Sequence, residues 1–251
     1  MTRRRIWPWL AGIAGVVVLA VAAWFAGEWI ATQIVSSTVR QQMIDQLALP
    51  ADQQIDVTLE GAVLPQLIVG TIKDITVTSQ DVTLGAFTGD VSVHATGVPT
   101  RGSGDIQNAT ATVSMDEAQL QGLLSTVKGF PAESVGLADP DVTMSKTFTV
   151  FGAAIPVGVG LTPSAKDGQL LLSPDYVTLG GVHLSAADVQ QRFGTAADAV
   201  VRDWPVCIAQ YVPKGMTLSQ ASVTGNQLVA HFDIDGAIIH DTSLQQKGTC
   251  A

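Results

Sequence analysis

Between residues 55 and 84 the chain reads IDVTLEGAVLPQLIVGTIKDITVTSQDVTL. Ile55, Val57 and Leu59 alternate with polar neighbours, as do Ile75 and Val77, Val82 and Leu84, and then Val91, Val93 and Ala95. A period of two puts the apolar set on one face of a strand and Thr, Asp and Ser on the other. That is the pattern of an antiparallel meander with one face on a core and one on water. Gly61 to Gly70, with Pro65 inside it, is predicted to be a less regular link. Gly85 and Gly89 mark a turn, and Gly97 to Gly104 a loop. A further strand covers Ala109 to Ser114. Strands resume from Val142 to about Leu172, where Asp167-Gly168 is a hairpin signal between Leu161 and Leu170. Within Val157-Val159-Leu161 the intervening Gly158 and Gly160 predict bending or close approach. Tyr176 to Val182 is read as one extended stretch, and Met216 to Ile239 as strand, turn and strand around Gly225-Asn226.

Three stretches carry the helical period instead. Ile30, Ile34, Val35, Val39, Met43 and Leu47 are assigned to one stripe of a helix over Glu28 to Leu47, stopped by Pro50. Ser114 and Glu117 form an S-x-x-E capping pattern ahead of Leu120, Leu123, Leu124 and Val127, with Lys128-Gly129 at the end. Ser185 and Asp188 open a third helix. Its apolar face is Val189, Phe193, Ala196, Ala197, Val200 and Trp204, and Pro205 ends it. This order predicts an α+β chain of two rough halves, each a curved sheet beside a helix, with no linker between independent domains.

Ahead of these elements the pattern changes. Arg3-Arg4-Arg5 precedes a charge-free run from Ile6 to Gly27. As a helix that run is about 33 Å long, enough to cross a bilayer. Trp7, Trp9, Trp24 and Trp29 stand at its two ends, where amphipathic rings prefer to sit, and the arginines favour the cytoplasmic side. Two readings stand: an uncleaved transmembrane anchor, or a signal sequence cut after Ala20-Val21-Ala22. The apolar run continues past that site to Ala26, which favours the anchor. Either way residues 1–27 form an anchor or signal sequence and residues 28–251 an exported domain.

Charge narrows the partners of that domain. The chain has 13 Lys and Arg, three of them in the arginine cluster, against 22 Asp and Glu, all beyond residue 27. The exported part therefore keeps ten cations and a formal charge of −12. Nucleic-acid binding needs the opposite sign. Contact with lipid would have to be apolar rather than an electrostatic adsorption. The two cysteines, Cys207 and Cys250, fall in the exported part, where an oxidising compartment favours a disulfide over two free thiols. Such a bond would contribute up to about 4 kcal/mol on the chain-entropy account.

Catalytic chemistry finds no foothold. His94, His183, His231 and His240 are scattered, with no H-x-x-x-H or C-x-x-C pairing, and read as strand-face or loop residues rather than zinc ligands. There is no G-x-S-x-G elbow, P-loop or dinucleotide fingerprint. Asp233 and Asp235 share a strand face but lack the closing Glu of a calcium loop, and Asp139-Pro140-Asp141 reads as a turn. No catalytic residue, cofactor or metal is expected. What the chain has in abundance is aliphatic surface, which either fills its own core or leaves room for an acyl chain.

Two stretches carry a resemblance. In VTLEGAVLPQLIVGTIKDITVTSQDVTLGAFTGDVSVHATGVP the relevant residues are Gly61, Leu64, Gln66, Leu67, Gly70, Ile75, Val77, Val82, Gly85 and Gly97-Val98. In YVPKGMTLSQASVTGNQLVAHFDIDG they are Pro213, Gly215, Leu218, Val223, Gly225, Leu228 and Val229. On these positions the chain resembles the LmeA-like family of actinobacterial phospholipid-binding envelope proteins. It departs from the family pattern at Ala62-Val63, where an aromatic is common. The resemblance spans nearly the whole exported part, through small and apolar positions. It implies a tubular lipid-binding fold, with a strongly curved antiparallel sheet wrapped around a long helix, like half of the bactericidal permeability-increasing protein. It also implies a phospholipid or related acyl lipid as partner, and a part in making envelope lipoglycans such as lipomannan. The candidate wall of a lipid cavity is Leu120, Leu123, Leu124, Val127, Phe130, Val189, Phe193 and Val200, and the candidate mouth is the turn with Leu64, Leu67 and Ile68. The alternative is a scaffolding envelope domain with a solid core and no ligand.

Overall fold

A computed structural model describes residues 7–250 of the protein, apart from 48, 151–152, 180 and 195–200. Trp7–Leu47 is one helix, α1, of 41 residues. The charge-free run thus continues unbroken into the helix expected from Glu28. Pro8 sits in the first turn, where no intrahelical N–H bond is lost. Thr32 donates its hydroxyl to the Glu28 carbonyl, and Ser37 and Thr38 donate theirs to Ile34, which satisfies these poor helix formers inside the helix. Val35, Val39, Met43 and Ile44 pack against the strands. Ile30 and Ile34, assigned to the same stripe, are exposed instead. At about 100° per residue they lie roughly opposite Val39, so one face could not hold both sets.

β1 (Ile55–Leu59) leads into a second helix, α2 (Val63–Val69), where an irregular link was expected. The Glu28 carboxylate accepts hydrogen bonds from the Val63 and Leu64 amides and so satisfies its first turn. Gly70, at φ +91°, closes it in the left-handed conformation that favours glycine. β2 (Thr71–Leu84) is one long strand with a bulge between Ser79 and Val82, which absorbs the break in alternation there. β3 (Phe87–Pro99) and β4 (Asn108–Met115) complete the meander. Helix α3 (Glu117–Leu124) is capped by Asp116 and Gln119, not by Ser114 and Glu117. Ser114 is held in β4, whose pairing with the C-terminal part runs on to Met115, so the cap falls two residues later.

The second group is β5 (Val135–Ala138), β6 (Asp141–Val150), β7 (Ala153–Lys166), β8 (Gln169–Leu179) and β9 (Val182–Ser185). Asp167 and Gly168, both at positive φ, make the predicted turn between β7 and β8. Tyr176 to Val182 is not one strand: Gly181 at φ +89° lets the chain reverse, and β9 pairs back on β8. Helix α4 (Ala186–Phe193) starts at the expected cap, Ser185, and has Gly194 at its C-cap; Ala196, Ala197 and Val200 of the expected apolar face lie outside the described residues. Trp204 lies instead in β10 (Trp204–Val206), an edge strand on β8, where Pro205 needs no ladder N–H. The chain closes with β11 (Met216–Thr224), β12 (Gln227–Ile234) and a short helix, α5 (Thr242–Gln245).

The two sheets are antiparallel throughout, in the orders β1-β2-β3-β4-β12-β11 and β10-β8-β7-β6-β5, with β9 also on β8. They do not divide the chain into two halves, because β12 returns to pair with β4. The inner face of the first sheet is apolar across its width. At the β1–β2 end it receives the C-terminal half of α1, through Ile55, Ile75, Val77, Ala95 and Ala109. At the β4–β12–β11 end it shares a core with α3 and the second sheet, through Val113, Met115, Leu218, Leu228 and Phe232. Val91, Val93 and Ile234 belong to both. The opposite face carries Thr76, His94, Thr112 and His231, with Thr76 bonded to His94 and Thr112 to His231. Cys207 and Cys250 form a disulfide that ties the C-terminal tail to the segment after β10.

Candidate lipid-binding surface

The apolar inner face of the second sheet changes character along its strands. Val142 of β6 faces Leu161 of β7, and both are fully buried. One step toward the other end, Met144, Val159, Val177 and Leu184 stand directly opposite one another across β6, β7, β8 and β9. Val159 and Val177 are buried in the middle of this row, and Met144 and Leu184 are half-buried at its ends. The next opposed pair, Val157 and Leu179, is half-buried as well. An aliphatic ladder therefore runs out of the closed core with steadily less of the protein covering it. In-register strands make such a ladder because every second side chain of four neighbouring strands points to one side.

Helix α4 docks beside this ladder on β8 and β9. Its first turn is held by Ser185, whose hydroxyl donates to the Asp188 carboxylate at 2.7 Å and accepts the Asp188 amide at 3.0 Å. Val189 is buried on its inner side. Nearby, Phe130 meets Trp204 edge to face at 5.0 Å, and the Arg202 guanidinium lies 3.7 Å from the Trp204 ring centre. Among the described residues, the buried Trp204 indole N–H has no hydrogen-bond partner.

Leu120, Leu123 and Leu124 have no exposed surface and sit in the core with Phe87, Met115 and Leu228. Phe130 and Val189 join the same cluster, and Val127 packs on its margin. Phe193 is the last residue of α4, and Val200 lies outside the described residues. Leu64, Leu67 and Ile68 belong to α2, which packs on α1 and β2. There Leu64 and Leu67 are half-buried and Ile68 is exposed. The structure thus gathers Leu120, Leu123, Leu124, Val127, Phe130 and Val189 into one cluster and places Leu64, Leu67 and Ile68 on a separate helix. Met144, Val177, Leu179 and Leu184 were not picked out from the sequence, although the period-two pattern of β7 already marked Val157, Val159 and Leu161 as one face.

The polar groups lie elsewhere. A shallow cleft of about 310 Å³ on the outer face of the first sheet is lined by Asp56, Thr78, Asp90, Ser92 and Thr112. A second, of about 460 Å³, lies between Asp167, Lys214 and Cys250. Both are open and too polar to suit an acyl chain. The buried Asp141 carboxylate accepts the Thr162 hydroxyl at 2.8 Å. Asp241 is held below the ordinary carboxylate value of 3.8 by hydrogen bonds from the Ser243 side chain and backbone. Among the described residues, no three His, Cys, Asp or Glu gather as a metal-binding group.

The sequence model that describes LmeA-like phospholipid-binding proteins matches residues 22–233 of this chain. No curated protein and no solved structure gives a significant match.

Proposed function

Starting from the chain's membership of the LmeA-like phospholipid-binding family, we propose that it is a membrane-anchored envelope protein that holds a phospholipid or related acyl lipid, without catalysis. Residues 1–27 are the anchor and residues 28–251 the exported domain. Among the described residues, the Leu19–Asp45 part of α1 is long and apolar enough to cross a bilayer, and almost none of its apolar window is buried in the protein. The Cys207–Cys250 disulfide favours an oxidising compartment for the rest.

The observation that carries the reading is the ladder Met144–Val159–Val177–Leu184, which extends an apolar core face into partly uncovered surface. An acyl chain laid along it would gain about 0.8 kcal/mol per buried methylene, with little demand for polar contacts. The sheet curving about α1, the tubular shape and a supporting role in lipoglycan synthesis belong to this proposal. Complete burial of Leu120, Leu123 and Leu124 favours a solid interior at α3, so lipid is assigned to the β6–β9 side, next to α4.

Organic extracts of the purified protein, analysed by mass spectrometry, test the reading. A stoichiometric acyl lipid, reduced in Leu179→Asp and Leu184→Asp variants that keep their circular dichroism, is expected. Repeated absence of lipid, with no uptake of added phospholipid, overturns it and leaves the scaffolding domain.

A further inference from the structure

Helix α2 is fastened to α1 at the point where the charge-free run ends. Gly27 is the last residue of that run, and the Leu64 side chain lies 3.6 Å from where a Cβ on Gly27 would stand. The next residue, Glu28, is the first acidic group of the chain, and its carboxylate is engaged by the Val63 and Leu64 amides. From inside, Gln66 locks the turn: its amide nitrogen donates to the Glu60 and Ala62 carbonyls at 2.8 and 3.0 Å, and its oxygen accepts the Lys73 amide at 2.7 Å. A seven-residue helix without a single charge is thereby held in a fixed place.

Its outer face is apolar and bare. Ile68 is 67% exposed and Val69 80%. Among the described residues, nine of the eleven large exposed hydrophobic side chains lie on α1 or α2, Trp24, Phe25, Trp29 and Ile30 among them. Concentration at one end of the molecule, around a helix of membrane-spanning length, is not the scatter seen on ordinary surfaces. The rim is basic. Lys73 is exposed just beyond α2. The loop carrying Arg101 is bonded to the end of α2 through the Thr100 amide and the Gly70 carbonyl, 2.9 Å apart. The Arg101 side chain passes 3.9 Å from where a Cβ on Gly70 would stand. In a domain of strongly negative net charge, two cations beside an apolar knob suit the phosphate layer over an acyl interior.

We propose that α2 is a membrane foot: Ile68 and Val69 enter the outer leaflet beside the point where α1 leaves it, and Arg101 lies at the lipid phosphates. The foot fixes how the domain stands on the bilayer instead of letting it swing on a tether. This inference rests on the anchor reading of α1.

Single cysteines at Leu19→Cys, Ile68→Cys, Val69→Cys and Asn226→Cys, in the full chain, test it. Each is labelled with an environment-sensitive fluorophore; the native cysteines are paired and do not react. The protein is placed in phosphatidylcholine–phosphatidylglycerol vesicles with or without doxyl-labelled lipid. Blue-shifted, doxyl-quenched emission at 19, 68 and 69, with water-like emission at 226 in the β11–β12 turn, is the expected result. Water-like emission at 68 and 69 with quenching at 19 overturns the foot and leaves the anchor intact. Emission at 68 that is blue-shifted but unquenched and rises with protein concentration also overturns it, in favour of a second copy. If 19 is unquenched as well, the anchor reading fails and takes the foot with it.

Discussion

The Tyr176 ring lies against the backbone of Gly160, its directly opposed partner in the β7–β8 ladder, so closely that a Cβ there would sit 2.1 Å from the ring edge. The glycine is thus needed for what faces it, not for an unusual backbone angle. Gly160→Ala is expected to push the ring out of place and cost about 1–3 kcal/mol in urea unfolding. Tyr176→Ala in the same chain is expected to remove most of that cost. An equal cost of Gly160→Ala in the wild-type and Tyr176→Ala backgrounds would show that the two residues do not interact.

The close approach at Gly160 was legible, because a glycine inside a period-two strand has few other uses. So were the strand faces, the β7–β8 turn at Asp167-Gly168 and the cap at Ser185, which depend on neighbours in sequence. Three things were not. Helix α2 depends on a carboxylate thirty-five residues away in the chain. Trp204 keeps the apolar period of the third helix but is drawn into an edge strand by pairing with Leu172. The Met144–Leu184 ladder exists only once four strands are in register, and no single strand shows it. The family resemblance was readable through glycines and aliphatics, whereas the lipid surface had to be assembled from non-local pairing.

Removing the disulfide should loosen the C-terminal tail. Cys207 and Cys250 are 43 positions apart, and their bond closes a loop that includes β11, β12 and α5. Cys207→Ser with Cys250→Ser is expected to lower unfolding free energy by up to about 4 kcal/mol. The denaturant midpoint measures it, and the wild-type protein under reductant should match the variant. A midpoint unchanged by both treatments would show that the loop gains nothing from closure.

Asp241 should titrate below its ordinary value. It accepts the Ser243 hydroxyl at 2.7 Å and the Ser243 amide at 2.8 Å, and both bonds favour its charged form. Because the folded value is lowered, the associated stability is complete above the ordinary value of 3.8 and is lost as pH falls through the lowered one. An NMR titration of the Asp241 carboxyl is expected to give a midpoint below 3.8, and Ser243→Ala to move it back up. A wild-type midpoint at or above 3.8 would refute the hydrogen-bond account.

The buried Trp204 sets two opposing effects against each other. Its ring fills the space beside Phe130 at 5.0 Å, so Trp204→Ala is expected to cost about 3–5 kcal/mol through the cavity it leaves. Its indole N–H, however, is buried with no hydrogen-bond partner among the described residues, a burden of about 1–3 kcal/mol that a phenylalanine does not carry. Trp204→Phe loses part of the ring and the Arg202 contact at 3.7 Å but also loses the stranded donor. These terms nearly cancel, and the expected net change is within about 1 kcal/mol. Urea unfolding of the three proteins decides it. If Phe is as damaging as Ala, the N–H is paired in solution, and the packing around Phe130 is not what holds Trp204 in β10.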